Sequence, residues 1–121
     1  MWTSRPASTV VLFFLTIFLS LPSTVAALRI KSQDPDKLLI RAIEHQRAGN
    51  FSVAKSICRQ ILDEFPHYVD ARNIYARVLS FEVLYAEALI QYDSALVYDQ
   101  TNEDARFGKA QVLAWTERFP E

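Results

Sequence analysis

Asp70-Ala71-Arg72-Asn73-Ile74-Tyr75-Ala76-Arg77-Val78-Leu79 returns thirty-four residues later as Asp104-Ala105-Arg106-Phe107-Gly108-Lys109-Ala110-Gln111-Val112-Leu113. Six of the ten positions are identical at a constant offset of 34 residues. A fixed period of that length belongs to stacked helical hairpins, each too small to bury its apolar face alone. Extending the register backwards finds a more diverged copy that keeps Asp36 and Ala42. The chain then divides into repeat 1 (35–68), repeat 2 (69–102) and an incomplete repeat 3 (103–121), after a lead-in at 28–34.

The aligned positions carry a physical logic. The second position is Asp36, Asp70 or Asp104, read as an N-cap that meets the free N–H groups and positive end of a helix. The eighth is Ala42, Ala76 or Ala110, and the twentieth is Ala54 or Ala88. Small residues at both places let two antiparallel helices approach closely. The seventeenth is Phe51, Tyr85 or Phe119, an aromatic to fill the wedge between hairpins, and Leu62 and Leu96 share the twenty-eighth. Pro66 ends the second helix of repeat 1. In repeat 2, Tyr98–Asn102 turns on Asn and Thr chemistry.

The fold class expected is all-α, with helices over about Asp36–Arg47, Phe51–Phe65, Asp70–Ser80, Leu84–Tyr98 and Glu103–Trp115. Gly49-Asn50 supplies the first tight turn. The second, Phe81-Glu82-Val83-Leu84, has no glycine. Leu84, Ala88, Leu89, Tyr92, Ala95 and Leu96 mark one apolar face at helical spacing. Repeat 3 is read as turning at Thr116-Glu117 and stopping one residue before its packing alanine. The stacking face with Phe107, Val112, Leu113 and Trp115 is then left without a covering helix, so a fragment or a truncated frame is the expectation, with cover by a partner as the alternative.

The first 27 residues contain no Asp or Glu and a single base, Arg5. The apolar run Val10–Leu21, the break at Pro22 and the small residues Ser23–Ala27 follow the three-part layout of a secretory signal peptide, with cleavage after Ala27. The alternative is an uncleaved membrane anchor, for which the run is short, since a spanning helix needs about 20 residues. The remaining residues hold 12 bases against 14 acids, a net charge of −2 with the signs mixed. Nucleic-acid binding, which requires a basic stripe, is not indicated. The lone cysteine, Cys58, excludes an internal disulfide and reads as a buried packing thiol. His45 and His67 read as surface residues without ligand-spaced partners. Phosphate loops, nucleophile elbows and metal motifs are absent from the sequence, so no catalytic residue, cofactor or metal is assigned.

The 34-residue pattern resembles the tetratricopeptide repeat, which implies about two and a half helix-turn-helix units stacked as a short solenoid. Asp104–Trp115 followed by Glu117-Arg118-Phe119 is also similar to the repeat arms of YaiO-type outer-membrane β-barrel proteins and exopolysaccharide export porins. Those families order a signal peptide, periplasmic repeats and a C-terminal barrel. The barrel has no counterpart in this chain.

The repeat resemblance implies a concave groove lined by first helices. Its positions are Leu39, Ile43, Gln46 and Arg47, then Asn73, Arg77, Ser80 and Phe81, then Phe107, Gln111, Ala114 and Trp115. Leu39, Ile43, Asn73, Arg77, Phe81, Phe107, Gln111 and Trp115 are the candidate partner-binding residues. Asn73 and Arg77 lie one turn apart on a shared face, suited to a carboxylate or a backbone carbonyl. Leu39 and Ile43 stand where a carboxylate clamp needs basic and amide groups, so the groove is expected to be apolar. The implied function is non-enzymatic protein–protein interaction or scaffolding in the bacterial periplasm, with a protein or peptide partner. The alternatives are the arm of an outer-membrane barrel protein for polysaccharide export, or an accessory domain of an enzyme.

Overall fold

The computed structural model describes residues 33–118. The signal-peptide run, most of the lead-in and Phe119 lie outside the described residues. Five helices follow in order: α1 (Pro35–Arg47), α2 (Phe51–Glu64), α3 (Val69–Phe81), α4 (Tyr85–Tyr98) and α5 (Glu103–Arg118). Among the described residues there is no strand, and no helix is long and apolar enough to cross a membrane. Consecutive helices pack on one another, and α3 also reaches both α1 and α5.

The small-residue logic holds inside the two complete hairpins. Ala42, Ala54, Ala76 and Ala88 are all fully buried. Leu38, Ala42, Ile57, Cys58, Ile61, Ala71 and Ile74 form one buried cluster. Ala76, Leu79, Ala88, Tyr92, Ala95, Ala105 and Val112 form a second. The half-buried Tyr75 packs against both. Ala110, by contrast, is exposed, because no second helix covers α5 among the described residues.

The aromatic wedge also repeats. Phe51 pairs with Phe81 at 5.9 Å between ring centroids, and Tyr85 pairs with Trp115 at 6.1 Å. In both cases the start of a second helix meets the end of the next first helix, thirty residues on. Aromatic pairs in this distance range add roughly 0.5–1.5 kcal/mol beyond their area burial.

The helix starts correct one expectation. Asp36, Asp70 and Asp104 are not N-caps; they stand inside the first turns of α1, α3 and α5. Asp34 caps α1, its carboxylate accepting from Asp36 N–H at 3.0 Å, with Pro35 as the first helical residue. Proline is favoured there because its missing N–H has no helical partner. Asn102 serves α5, its Oδ1 accepting from Ala105 N–H at 2.9 Å. Tyr68 precedes α3 without a side-chain cap and instead donates its hydroxyl to Asp36 across the hairpin. The three aspartates keep their favourable place at the positive helix ends.

The last helix corrects a second expectation. The chain does not turn at Thr116-Glu117 but stays helical to Arg118. The Thr116 hydroxyl donates to the Leu113 carbonyl at 2.8 Å, so a residue read as a breaker is accommodated within the helix.

The turn without a glycine shows what the fold demands there. Gly49 has φ +78°, and Val83, thirty-four residues on, has φ +64°. A β-branched residue at positive φ is strained, because its Cβ crowds the carbonyl. Lys55 Nζ to Glu82 at 2.6 Å and the Phe51–Phe81 contact brace the backbone just before it. Val83 is 53% exposed, so its side chain has little packing to lose. Val83→Gly is expected to stabilise the protein by roughly 0.5–1 kcal/mol, read as a higher urea midpoint at unchanged slope.

Candidate functional site

An open cleft of about 310 Å³ lies where the first helices of the three repeats come together. Its lining is Leu39 and Ile43 from α1, Asp70, Asn73, Ile74 and Arg77 from α3, and Asp104 from α5. One wall is aliphatic and the other is polar. The period explains the arrangement. Leu39 and Asn73 occupy one repeat position, Ile43 and Arg77 another, and Asp70 and Asp104 a third. Stacking the repeats sets these positions side by side.

Of the candidate residues, Leu39, Ile43, Asn73 and Arg77 come together in this cleft. Phe81, Phe107, Gln111 and Trp115 do not line the cleft. Phe81 and Trp115 sit on the aromatics Phe51 and Tyr85 and belong to the stacking between hairpins. Phe107 is 70% exposed and Gln111 is also exposed, both on α5. Asp70, Ile74 and Asp104 were missed as cleft residues. The sequence reads the acids as helix caps, although their recurrence at a first-helix position is a usable signal.

Asn73 is the most constrained polar group of the cleft, only 4% exposed. Its Nδ2 donates to Asn102 Oδ1 at 3.0 Å. That same Oδ1 accepts from Ala105 N–H, so it must be an oxygen. The amide facing it must present nitrogen, because a reversed Asn73 would set oxygen against oxygen. Both side-chain orientations follow from one backbone N–H. Asn73 Oδ1 is thereby left without a donor among the described residues. The sequence suggests an amide able to hold a carboxylate or carbonyl; the structure commits one of its two N–H donors to Asn102 and leaves the acceptor unpaired among the described residues.

Removing the shared oxygen is a direct check on this chain of bonds. Asn102→Ala is expected to cost about 1–2 kcal/mol in chemical denaturation, from the lost cap and the unpaired Asn73 amide. Asn102→Asp keeps an acceptor for both donors and is expected to retain most of that stability.

The electrostatic surroundings are mixed. Burial pushes the Tyr92 hydroxyl above its ordinary pKa, while Arg77 beside it pulls the other way and Asp104 adds to the rise. Among the described residues, neither Asp70 nor Asp104 has a cation within ion-pair distance. Behind the cleft, Cys58 is fully buried and its thiol is pushed up to about 12 by desolvation, far from a reactive thiolate. His67 stands edge-on to Tyr98 with centroids 4.5 Å apart, and His45 Nδ1 lies 3.5 Å from Asn50 Nδ2. Among the described residues no three His, Cys, Asp or Glu side chains are grouped as metal ligands. Comparison with family models and with curated proteins found no match.

Proposed function

We propose that the array is a non-enzymatic binding module of the tetratricopeptide type, which holds a protein or peptide segment in the cleft between α1, α3 and α5. The observation that carries this reading is the cleft itself. Three consecutive repeats contribute to one open, half-aliphatic channel of about 310 Å³. That volume is at the lower end for ligand sites and suits one or two residues of an extended chain. Leu39, Ile43 and Ile74 offer apolar contact, and the polar wall can fix orientation. The proposed place of action is the periplasm, to which the signal-like first 27 residues would direct the chain. Service as the repeat arm of an outer-membrane export protein is one form of this scaffold role.

Site-specific photocrosslinking tests the reading. The full chain carries a benzophenone side chain at Ile43 in the cleft or, as control, at Ile90, which is exposed on α4. A discrete adduct from position 43, absent from position 90 and lost on Asn73→Leu, supports the cleft. Equal labelling from both positions overturns it.

A further inference from the structure

We propose that the cleft takes a peptide segment bearing a lysine or arginine side chain, its charged head seated at Asp70 and Asn73 and its alkyl stem laid along Leu39, Ile43 and Ile74. The inference rests on the binding reading above and adds the chemistry of the occupant. Two independent observations carry it. The first is charge: the lining holds two carboxylates and one guanidinium. Arg77 and Asp104 bear opposite charges in that lining, so the cleft as a whole is left with one negative charge in excess. Asp70 has no cation within ion-pair distance among the described residues. The second is the orphaned acceptor of Asn73, in a residue that is 96% buried and lines the same cleft.

Asp70 and Asn73 are three residues apart on α3, hence on one face. Both present oxygen acceptors. The Asn73 amide keeps one N–H on Asn102, so its Oδ1 cannot be exchanged for nitrogen without breaking the bond that supports the α5 cap. An anionic occupant would face two carboxylates against a single guanidinium. A side chain with several N–H donors on an apolar stem matches both walls, since lysine and arginine bury their methylenes while the head keeps polar contacts. The aspartates also stand in the first turns of their helices, where negative charge is favoured.

The test measures binding of the full chain to three labelled nine-residue peptides, identical except for a central lysine, norleucine or glutamate. Fluorescence anisotropy is followed at low and at physiological salt. The lysine peptide is expected to bind at least about tenfold more tightly than the norleucine peptide, and the glutamate peptide more weakly still. Asp70→Asn is expected to cost the lysine peptide about three- to tenfold and to flatten its salt dependence, with no change for norleucine. Equal or tighter binding of the glutamate or norleucine peptide overturns the charge assignment and leaves the cleft as a binding site. An unchanged lysine affinity in Asp70→Asn also overturns it. If none of the three peptides binds to chain shown folded by circular dichroism, both this inference and the binding reading fall.

Discussion

Gly108→Ala lowers the stability of the array by about 1–3 kcal/mol, against the gain of up to about 1 kcal/mol that alanine brings to an ordinary helix interior. The reason is the approach of Tyr92. A Cβ built on Gly108 would lie 2.3 Å from Tyr92 Cζ and 2.5 Å from its hydroxyl oxygen. Tyr92 is itself 3% exposed and has little room to retreat. One repeat earlier the corresponding residues are Cys58 and Ile74, both in the first buried cluster. The two junctions thus solve one packing problem in opposite ways, with the large side chain on the first helix in one and on the second helix in the other. Tyr92→Phe should not rescue Gly108→Ala, because the ring carbon is the clash. Tyr92→Leu should, and a thermal double-mutant cycle is expected to return a favourable coupling of about 1 kcal/mol or more.

Ile61→Ala is the other large effect, an expected loss of about 2–5 kcal/mol by urea denaturation. Ile61 is 1% exposed, among the largest of the fully buried side chains, and belongs to the first cluster. Its neighbours there are Leu38, Ile57, Cys58 and Ile74, contributed by three helices that cannot all close on the space a lost side chain leaves. For a domain of this size that is a large share of a total stability of roughly 5–15 kcal/mol. The contrast with Ile40, exposed on α1, supplies the control: Ile40→Ala is expected to change the midpoint by under about 0.5 kcal/mol.

The helices were legible in the sequence because period and burial agree. Ala42, Ala54, Ala76 and Ala88 recur where close approach requires them, and all four are buried. The Asp99–Asn102 turn was legible for a local reason, since the Asp99 carboxylate accepts from Thr101 N–H and hydroxyl at 3.1 and 2.8 Å. The Thr101 hydroxyl in turn holds that carboxyl below its ordinary pKa. The end of α5 was less legible. A repeat register predicts a turn at Thr116, but a turn is enforced by what packs after it, and no following helix does so among the described residues.

The cleft was half legible. Leu39, Ile43, Asn73 and Arg77 follow from the repeat position alone. Asp70 and Asp104 were hidden by a second role at the helix ends. The orientation of the Asn73 amide was out of reach, because it is set by Asn102, a residue of another repeat. Phe81 and Trp115 do not line this cleft, and their rings lie against Phe51 and Tyr85.

The central helix α3 has a neighbour on every side: α2 and α4 beside it, α1 and α5 further along the stack. Seven of its thirteen residues are buried. A short array of this kind has no interior repeat that can loosen by itself. Either end helix can peel away while the rest stays paired, but α3 separates only when both clusters open together. The polar wall of the cleft is built mainly on this helix, so that wall is the last part of the protein to fray.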